Sequence, residues 1–193
     1  MTYLHLALKA EALPLIQHLR LHLNSEAPCR IYSNETYTLT ISLPGYDNAL
    51  MATTALLSLH PPKTDDVFIN IGLCAAPSNL AIGSLVGVHT LSFENERPYT
   101  LKPLAHLASH PLQTFKTEQS EALNTLADME AFAAIKAASR FLALQQLSVI
   151  KVVSDHFKPN RLTKNSAQTL IYHAIDDIVA YIQTFKEQQC QPQ

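Results

Sequence analysis

Residues 128–155 read DMEAFAAIKAASRFLALQQLSVIKVVSD and combine a helix pattern with a strand pattern. The alanine-rich run from Ala131 to Ala138 predicts a helix with a face small enough to pack closely on a sheet. Leu147–Val153 is rich in β-branched residues, which predicts a buried strand. Acids flank both elements, because Asp128-Met129-Glu130 opens the helix and Ser154-Asp155 closes the strand. Since ligands bind at the carboxyl ends of strands in such folds, the two acidic clusters predict one binding site.

The rest of the chain alternates strand and helix patterns in the same way, which indicates an α/β fold in one domain, residues 1–193. The strands are predicted at Tyr3–Leu8, Cys29–Tyr32, Tyr37–Leu43, Val67–Ile71, Leu85–Leu91 and Tyr99–Leu101, and the helices at Ala10–Leu23, Ala49–Leu59, from Met129, and as one long helix from Thr163. A loop is expected over Leu73–Asn79. Residues 94–120 have no sustained period.

Composition excludes several classes of function. The formal net charge of −2 gives no electrostatic reason to expect nucleic acid or an anionic membrane as partner. There is neither a secretion signal nor an apolar run near the ~20 residues that a membrane helix needs, so we expect a cytoplasmic protein. With only 4 glycines and no glycine-rich phosphate-binding motif, we expect no nucleotide cofactor, and indeed no cofactor at all.

Histidines and cysteines show no metal-binding or disulfide pattern. Of the 9 histidines, His18 and His22 share a helical i, i+4 spacing within the predicted first helix, and no third ligand lies near them, so a solvated helix face is the better interpretation. Cys29, Cys74 and Cys190 are odd in number and unpaired in spacing. We therefore predict no metal site and no disulfide framework.

Three acids lie near predicted strand-to-helix junctions. Glu11 follows the first strand, Glu130 opens the alanine-rich helix, and Asp155 ends a late strand. Glu11, Asp128 and Glu130 have a simpler explanation, because acids near helix N-termini stabilise the helix dipole by ~0.3–1 kcal/mol. That explanation fits Asp155 less well, since an acid directly after Val153 lies close to the buried layer.

The two acidic motifs resemble those of the nucleoside phosphorylase/nucleosidase superfamily, and most closely the methylthioadenosine/S-adenosylhomocysteine nucleosidases. Other landmarks follow in the family's order along most of the chain: Ala7-Leu8-Lys9-Ala10-Glu11, Leu43-Pro44-Gly45, Phe68-Ile69-Asn70-Ile71-Gly72 and Leu80-Ala81-Ile82-Gly83-Ser84. The resemblance implies a three-layer α/β/α sandwich with a mixed central sheet. It also implies a homodimer.

The resemblance implies catalytic roles for two acids. Asp155 would meet N7 of a purine and assist its departure, with Ser154 orienting its carboxyl group. Glu11 would activate the attacking water. An acid and a base would then lie on opposite sides of an oxocarbenium-like sugar, as in inverting glycoside hydrolysis.

Further residues would bind the substrate. By the same resemblance, Glu130 would accept hydrogen bonds from the ribose hydroxyls and Met129 would lie against the sugar. Cys74 and Ala75 belong to the loop that approaches the ligand. Phe115 could stack on a base, although a role in the core is the simpler alternative.

The chain also departs from the family pattern. It has no arginine near Glu11 to hold phosphate, which favours water as the nucleophile. Leu73 and Pro77 stand where the family has small residues, and the segment between Gly83 and Asp128 is much shorter than in the family.

Two further residues allow alternatives. His156 either tunes Asp155 or covers a loop. Lys151 lies inside an apolar strand and is expected either to extend its amine to solvent or to pair with an acid.

These features predict a nucleosidase-type hydrolase that cleaves a purine nucleoside to free base and sugar. A phosphorylase that uses phosphate at the same site is the second candidate. The third is an inactive family member that only binds nucleosides or has a structural role.

Overall fold

Ten β-strands and five α-helices make up the described part of the chain, which in the computed structural model comprises residues 1–25, 29–158 and 162–189. The strands are β1 (Thr2–Leu6), β2 (His22–Ser25), β3 (Arg30–Ser33), β4 (Tyr37–Ile41), β5 (Val67–Ala75), β6 (Leu85–Ser92), β7 (Tyr99–Thr100), β8 (Ser109–Thr114), β9 (Leu126–Asp128) and β10 (Leu147–Asp155). The helices are α1 (Lys9–His18), α2 (Tyr46–Leu59), α3 (Ala131–Ala138), α4 (Lys164–His173) and α5 (Ile175–Gln189).

The strands form one mixed sheet. Strand β1 pairs in parallel with β4 and β5, and β5 pairs in parallel with β10. Beyond β4, the antiparallel strands β3 and β2 extend the sheet. Strands β5, β10, β6, β8 and β9 pair in sequence, and β9 pairs with β5 again, so these five strands close into a ring. The parallel strands therefore end along one edge, next to the closed ring.

Two separate apolar clusters contain side chains of the strands and helices, because successive strand residues point to opposite sides of the sheet. Tyr3 and Phe68 belong to an apolar cluster with residues of α2 and α3. Leu4 and Ile69 belong to a second cluster with residues of α1, α4 and α5. The predicted α/β architecture with a mixed sheet is thereby confirmed. None of the described helices is long and apolar enough to span a membrane.

Several predicted boundaries were wrong. The first helix ends at His18 rather than Leu23, because Arg20 takes a left-handed φ of 53° and the chain then enters β2. The last helix is two helices, which meet at Ala174. The predicted loop from Leu73 is wrong as well, since β5 runs to Ala75, where it pairs with both β10 and β9.

Candidate active site

A cavity of about 360 Å³ lies where β1, β5, β9 and β10 end and α1 and α3 begin. It is lined by Ala7, Leu8, Glu11, Pro44, Leu73, Cys74, Ala75, Thr117, Glu118, Gln119, Ala127, Asp128, Met129, Glu130, Ser154, Asp155, Leu162, Thr163, Lys164 and Ala167. The two acidic junctions predicted to meet therefore share one cavity. Its volume lies within the range of small-molecule sites.

A β-bulge presents Ser154 and Asp155 to the cavity together. Val153 pairs with Cys74 and Asp155 with the very next residue, Ala75, so Ser154 is an extra residue in the ladder. Two consecutive residues of a regular strand point to opposite faces, whereas here both line the cavity. The bulge thus redirects the end of β10 into the site.

Hydrogen bonds hold the Asp155 carboxyl group in place. Its Oδ2 lies 2.7 Å from Ser154 Oγ, and its Oδ1 accepts a 2.7 Å hydrogen bond from the backbone N–H of Lys158. Ser154 Oγ also lies 3.0 Å from the carbonyl oxygen of Cys74. Ser154 Oγ is thus within donating distance of two acceptors, the Asp155 carboxylate and the carbonyl of Cys74, and its single hydrogen can serve one of them at a time.

Glu11 is buried in the first turn of α1. Its two carboxylate oxygens accept hydrogen bonds from the backbone N–H groups of Leu8 (3.1 Å) and Leu73 (3.4 Å). Burial raises the pKa of Glu11 above its ordinary value, and neither these hydrogen bonds nor the charge of Lys151 reverses the shift. The pKa is thereby moved toward the range that a general base needs near neutral pH.

Glu130 faces the cavity from the start of α3. Its Oε1 accepts a 2.7 Å hydrogen bond from the backbone N–H of Gly45. Burial, and then the nearby charge of Asp128, raise its pKa to about 7. The turn that presents Gly45 includes Leu43, which has a left-handed φ of 75° although it is not a glycine and its side chain is 63% exposed. This conformation is strained for a residue that has a Cβ atom, and the next residue, Pro44, lines the cavity.

A buried ion pair lies beneath the carboxylates. Lys151 Nζ is 2.8 Å from Asp128 Oδ2, and both side chains are nearly inaccessible to solvent. Burial alone lowers the pKa of Lys151, but the charges of Asp128 and Glu130 outweigh it and the pKa is raised. Asp128 also accepts hydrogen bonds from Thr114 Oγ1 (2.7 Å) and from the backbone N–H of Ala131 (2.9 Å). Of the two alternatives for Lys151, pairing with an acid is the one observed.

Lys151 also approaches the backbone of the neighbouring strand. A Cβ atom built on Gly72 would lie 3.4 Å from Lys151 Nζ and 3.8 Å from Glu11 Oε2. The absence of a side chain at Gly72 therefore leaves room for the lysine and the glutamate to face each other.

The other predicted binding residues fall into two groups. Met129, Cys74 and Ala75 line the cavity, whereas Phe115 does not. The backbone N–H of Phe115 donates to the carbonyl of Asp128, which continues the pairing of β8 with β9. Stacking of Phe115 on a base finds no support in this geometry, because the segment Thr117–Gln119 occupies the cavity wall instead.

No cluster of histidine, cysteine and acidic residues in the described part of the chain could hold a metal ion. His5 is buried next to Asn70, and burial lowers its pKa to about 3. His156 Nδ1 lies 3.1 Å from the carbonyl of Ala76, to which it donates, so its ring covers the loop after β5. Cys29 and Cys74 are free thiols, and Cys190 lies outside the described residues.

The arrangement provides a carboxyl group at each of three positions around one cavity. Glu11 is deep and has a raised pKa, Glu130 is anchored by a backbone N–H, and Asp155 has a hydroxyl partner. Such a set can take a proton on one side of a ligand, supply one on the other, and accept hydrogen bonds between them.

Comparison with known proteins finds matches among solved structures only. Neither a protein-family model nor a curated protein matches the chain. A variant of the nucleosidase MTAN from Chlamydia trachomatis is 24% identical with a TM-score of 0.72, covering 95% of this chain and 98% of that one. The same C. trachomatis protein bound to adenine gives 24% identity and a TM-score of 0.69, covering 93% and 98%.

A nucleosidase of lower sequence identity superimposes with a higher TM-score. The 5′-methylthioadenosine/S-adenosylhomocysteine nucleosidase of S. pneumoniae, in complex with a transition-state inhibitor, is 16% identical with a TM-score of 0.77, covering 94% of this chain and 97% of that one. Nearly full coverage in both directions means that the short segment before Asp128 does not disrupt the architecture. The chain therefore has the fold of the methylthioadenosine/S-adenosylhomocysteine nucleosidases.

Proposed function

We propose that this protein is a nucleosidase that hydrolyses the N-glycosidic bond of a purine nucleoside related to methylthioadenosine or adenosylhomocysteine. The observation that carries the proposal is the convergence of Glu11, Glu130 and Asp155 on one cavity. The structures that share its fold are of nucleosidases, and their ligands include methylthioadenosine and adenine.

The proposed reaction uses the three acids in different roles. Glu11 takes a proton from a water molecule, whose oxygen forms a bond to C1′ of the sugar. The bond from C1′ to the base nitrogen breaks, its electron pair goes to the base, and Asp155 donates the proton that the base needs at N7. The products are the free base and the sugar with a hydroxyl at C1′.

Glu130 and Met129 would hold the sugar during this step. Ionised Glu130 can accept hydrogen bonds from the ribose hydroxyls, and the thioether of Met129 suits the apolar face of the ring. Cys74 and Ala75 would form the wall behind the ligand. Ser154 would hold the Asp155 carboxyl group in its orientation through their hydrogen bond.

The buried Lys151 would act on the nucleophile side. Its charge lies close enough to Glu11 to favour the ionised form of that carboxyl group, and it is held by Asp128. A neighbouring cation thus offsets part of the burial that would otherwise leave Glu11 protonated and unable to accept a proton.

Base release is the test of this proposal. Methylthioadenosine, adenosylhomocysteine, inosine and futalosine should be incubated with the protein, with and without phosphate, and free base should be measured. We expect base release that needs no phosphate. Dependence on phosphate would identify a phosphorylase instead, and binding of nucleosides without cleavage would identify an inactive family member.

Substitution of Asp155 tests whether the reaction takes place in this cavity. Asp155→Asn should lower turnover by about 10²–10⁴-fold, because the amide cannot supply a proton. Asp177→Asn is the matched control, since Asp177 is an exposed acid in the first turn of α5 and should retain full turnover. Unchanged turnover in Asp155→Asn, with the fold intact, would refute the site.

Four finer expectations remain proposals. The two apolar clusters support a three-layer α/β/α sandwich, and we infer that residues 1–193 act as a single domain. A homodimer in the cytoplasm stays a prediction, which sedimentation velocity and cell fractionation can test.

A further inference from the structure

Among the described residues, the cavity wall contains one positively charged side chain. Besides the three proposed functional acids, its charged lining residues are Glu118, Asp128 and Lys164. Lys151 lies behind Asp128 and is not part of the wall. Lys164 is exposed, at the rim of the cavity, so it can meet the part of a ligand that extends toward solvent.

The position of Lys164 is not explained by helix stability. It is the first residue of α4, where the helix dipole disfavours a cation, and the first turn of α4 contains no acid. Among the described residues, no carboxylate forms an ion pair with Lys164. A charge placed against the helix dipole, without a partner and on a cavity wall, is available to a ligand.

The chemistry of nucleosides limits what this ligand group can be. A purine base and the ribose hydroxyls carry no negative charge near pH 7, so only the 5′ substituent of a nucleoside can supply an anion. The deep part of the cavity is occupied by buried groups, such as Glu11 and Asp128, whereas the rim consists of the exposed segments 117–118 and 163–164. A long 5′ substituent would leave the cavity across this rim.

We propose that Lys164 is a specificity-determining residue that binds a carboxylate in the 5′ substituent of the nucleoside. The proposal rests on the proposed function of the same cavity. It restricts the substrate class to nucleosides with an anionic 5′ extension, in preference to neutral ones of equal size. Glu118, on the same rim, would repel that carboxylate and so limits where it can lie.

A matched pair of substrates tests the proposal. One is 5′-S-(2-carboxyethyl)-5′-thioadenosine and the other is its carboxamide, which has the same shape without the charge. KM and kcat should be measured for both with the wild type and with Lys164→Gln. At low ionic strength we expect Lys164→Gln to raise KM about fivefold for the carboxylate only, since exposed ion pairs are worth up to about 1 kcal/mol, and high salt should abolish the difference.

Lys9→Gln is the matched control. Lys9 is the first residue of the adjacent helix α1 and is also exposed, but it lines a neighbouring groove rather than the cavity. It should leave the ratio of the two KM values unchanged. Equal changes for both substrates in Lys164→Gln, as a Lys164–Glu118 pair across the rim would produce, would overturn the proposal, as would no change at all.

Binding separates this proposal from the proposed function. The affinities of the same two nucleosides should be measured by calorimetry with the wild type and Lys164→Gln. If neither nucleoside is cleaved, the nucleosidase proposal fails, yet a preference for the carboxylate that depends on Lys164 would still support the rim site. If neither nucleoside binds, both proposals fail.

Discussion

Two lysine–carboxylate pairs have almost the same geometry and opposite surroundings. Lys151 and Asp128 lie 2.8 Å apart with side chains only 2% and 1% exposed, whereas Lys136 and Glu96 lie 2.6 Å apart with side chains 34% and 38% exposed. Water screens the surface pair, so its contribution to stability is small. The buried pair has no such screening, and each partner depends on the other. Distance alone therefore does not reveal which pair matters to the protein.

The largest expected effect comes from breaking the buried pair. Asp128→Asn removes the direct ion-pair partner of the buried Lys151 and should lower the free energy of unfolding by about 3–5 kcal/mol. Urea denaturation measures this. Asn keeps the size of the side chain, so a loss below about 1 kcal/mol would show that the burial of the pair has no special weight.

Glu11 is a buried acid that, unlike Asp128, has no direct ion-pair partner among the described residues. Glu11→Gln removes the proposed base and should reduce turnover by about 10²–10⁴-fold. Because burial disfavours the ionised form of Glu11, the substitution should leave the free energy of unfolding unchanged or raise it. Lost turnover together with a large loss of stability would instead indicate a structural role.

Glu130 makes the free energy of unfolding depend on pH. Its pKa is about 7 in the folded protein, above the ordinary value of 4.5, so the folded state binds more protons than the unfolded state between these values. The contribution of Glu130 to stability is thus complete below pH 4.5 and is lost as pH rises through 7. Relative to Glu130→Gln, the wild type should lose on the order of 2 kcal/mol over this range, allowing for partial solvent screening. A difference that is constant with pH would contradict the raised pKa.

The smallest effect belongs to the surface pair. Glu96→Gln should change the free energy of unfolding by no more than about 0.5 kcal/mol, because Lys136 remains solvated when its partner is gone. The same urea titrations apply. If Glu96→Gln lowered the free energy of unfolding as much as Asp128→Asn, burial would not explain the difference between the two pairs.

The sequence predicted elements well where a local pattern carries the information. The run Leu147–Val153 is a strand, and the alanine-rich run is helix α3, because periodicity and composition are local properties. The boundaries failed where distant partners decide them. Leu73 belongs to a strand only because β10 lies beside it. Strand β8 was not predicted, because Pro111 interrupts its sequence pattern. In the structure it nevertheless pairs with β6 and β9.

The candidate site was predictable in part. Acids at strand-to-helix junctions indicated the meeting of Glu130 and Asp155, since the carboxyl ends of strands share an edge. The wall residue Glu118 carries no local signal, because its place depends on how a long segment folds back over the cavity. The signal that could have found Lys164 is a lysine directly after the helix-capping residue Thr163.

The bulge at Ser154 separates two kinds of constraint within one strand. Up to Val153, the apolar side chains of β10 lie in one or the other of the two apolar clusters, so changes there are limited by packing. From Ser154 onward this alternation ends, and Ser154 and Asp155 both line the cavity. A substitution at Ser154 would therefore act on the cavity wall before it acts on the core, whereas Phe157, which is only 5% exposed, is again limited by packing.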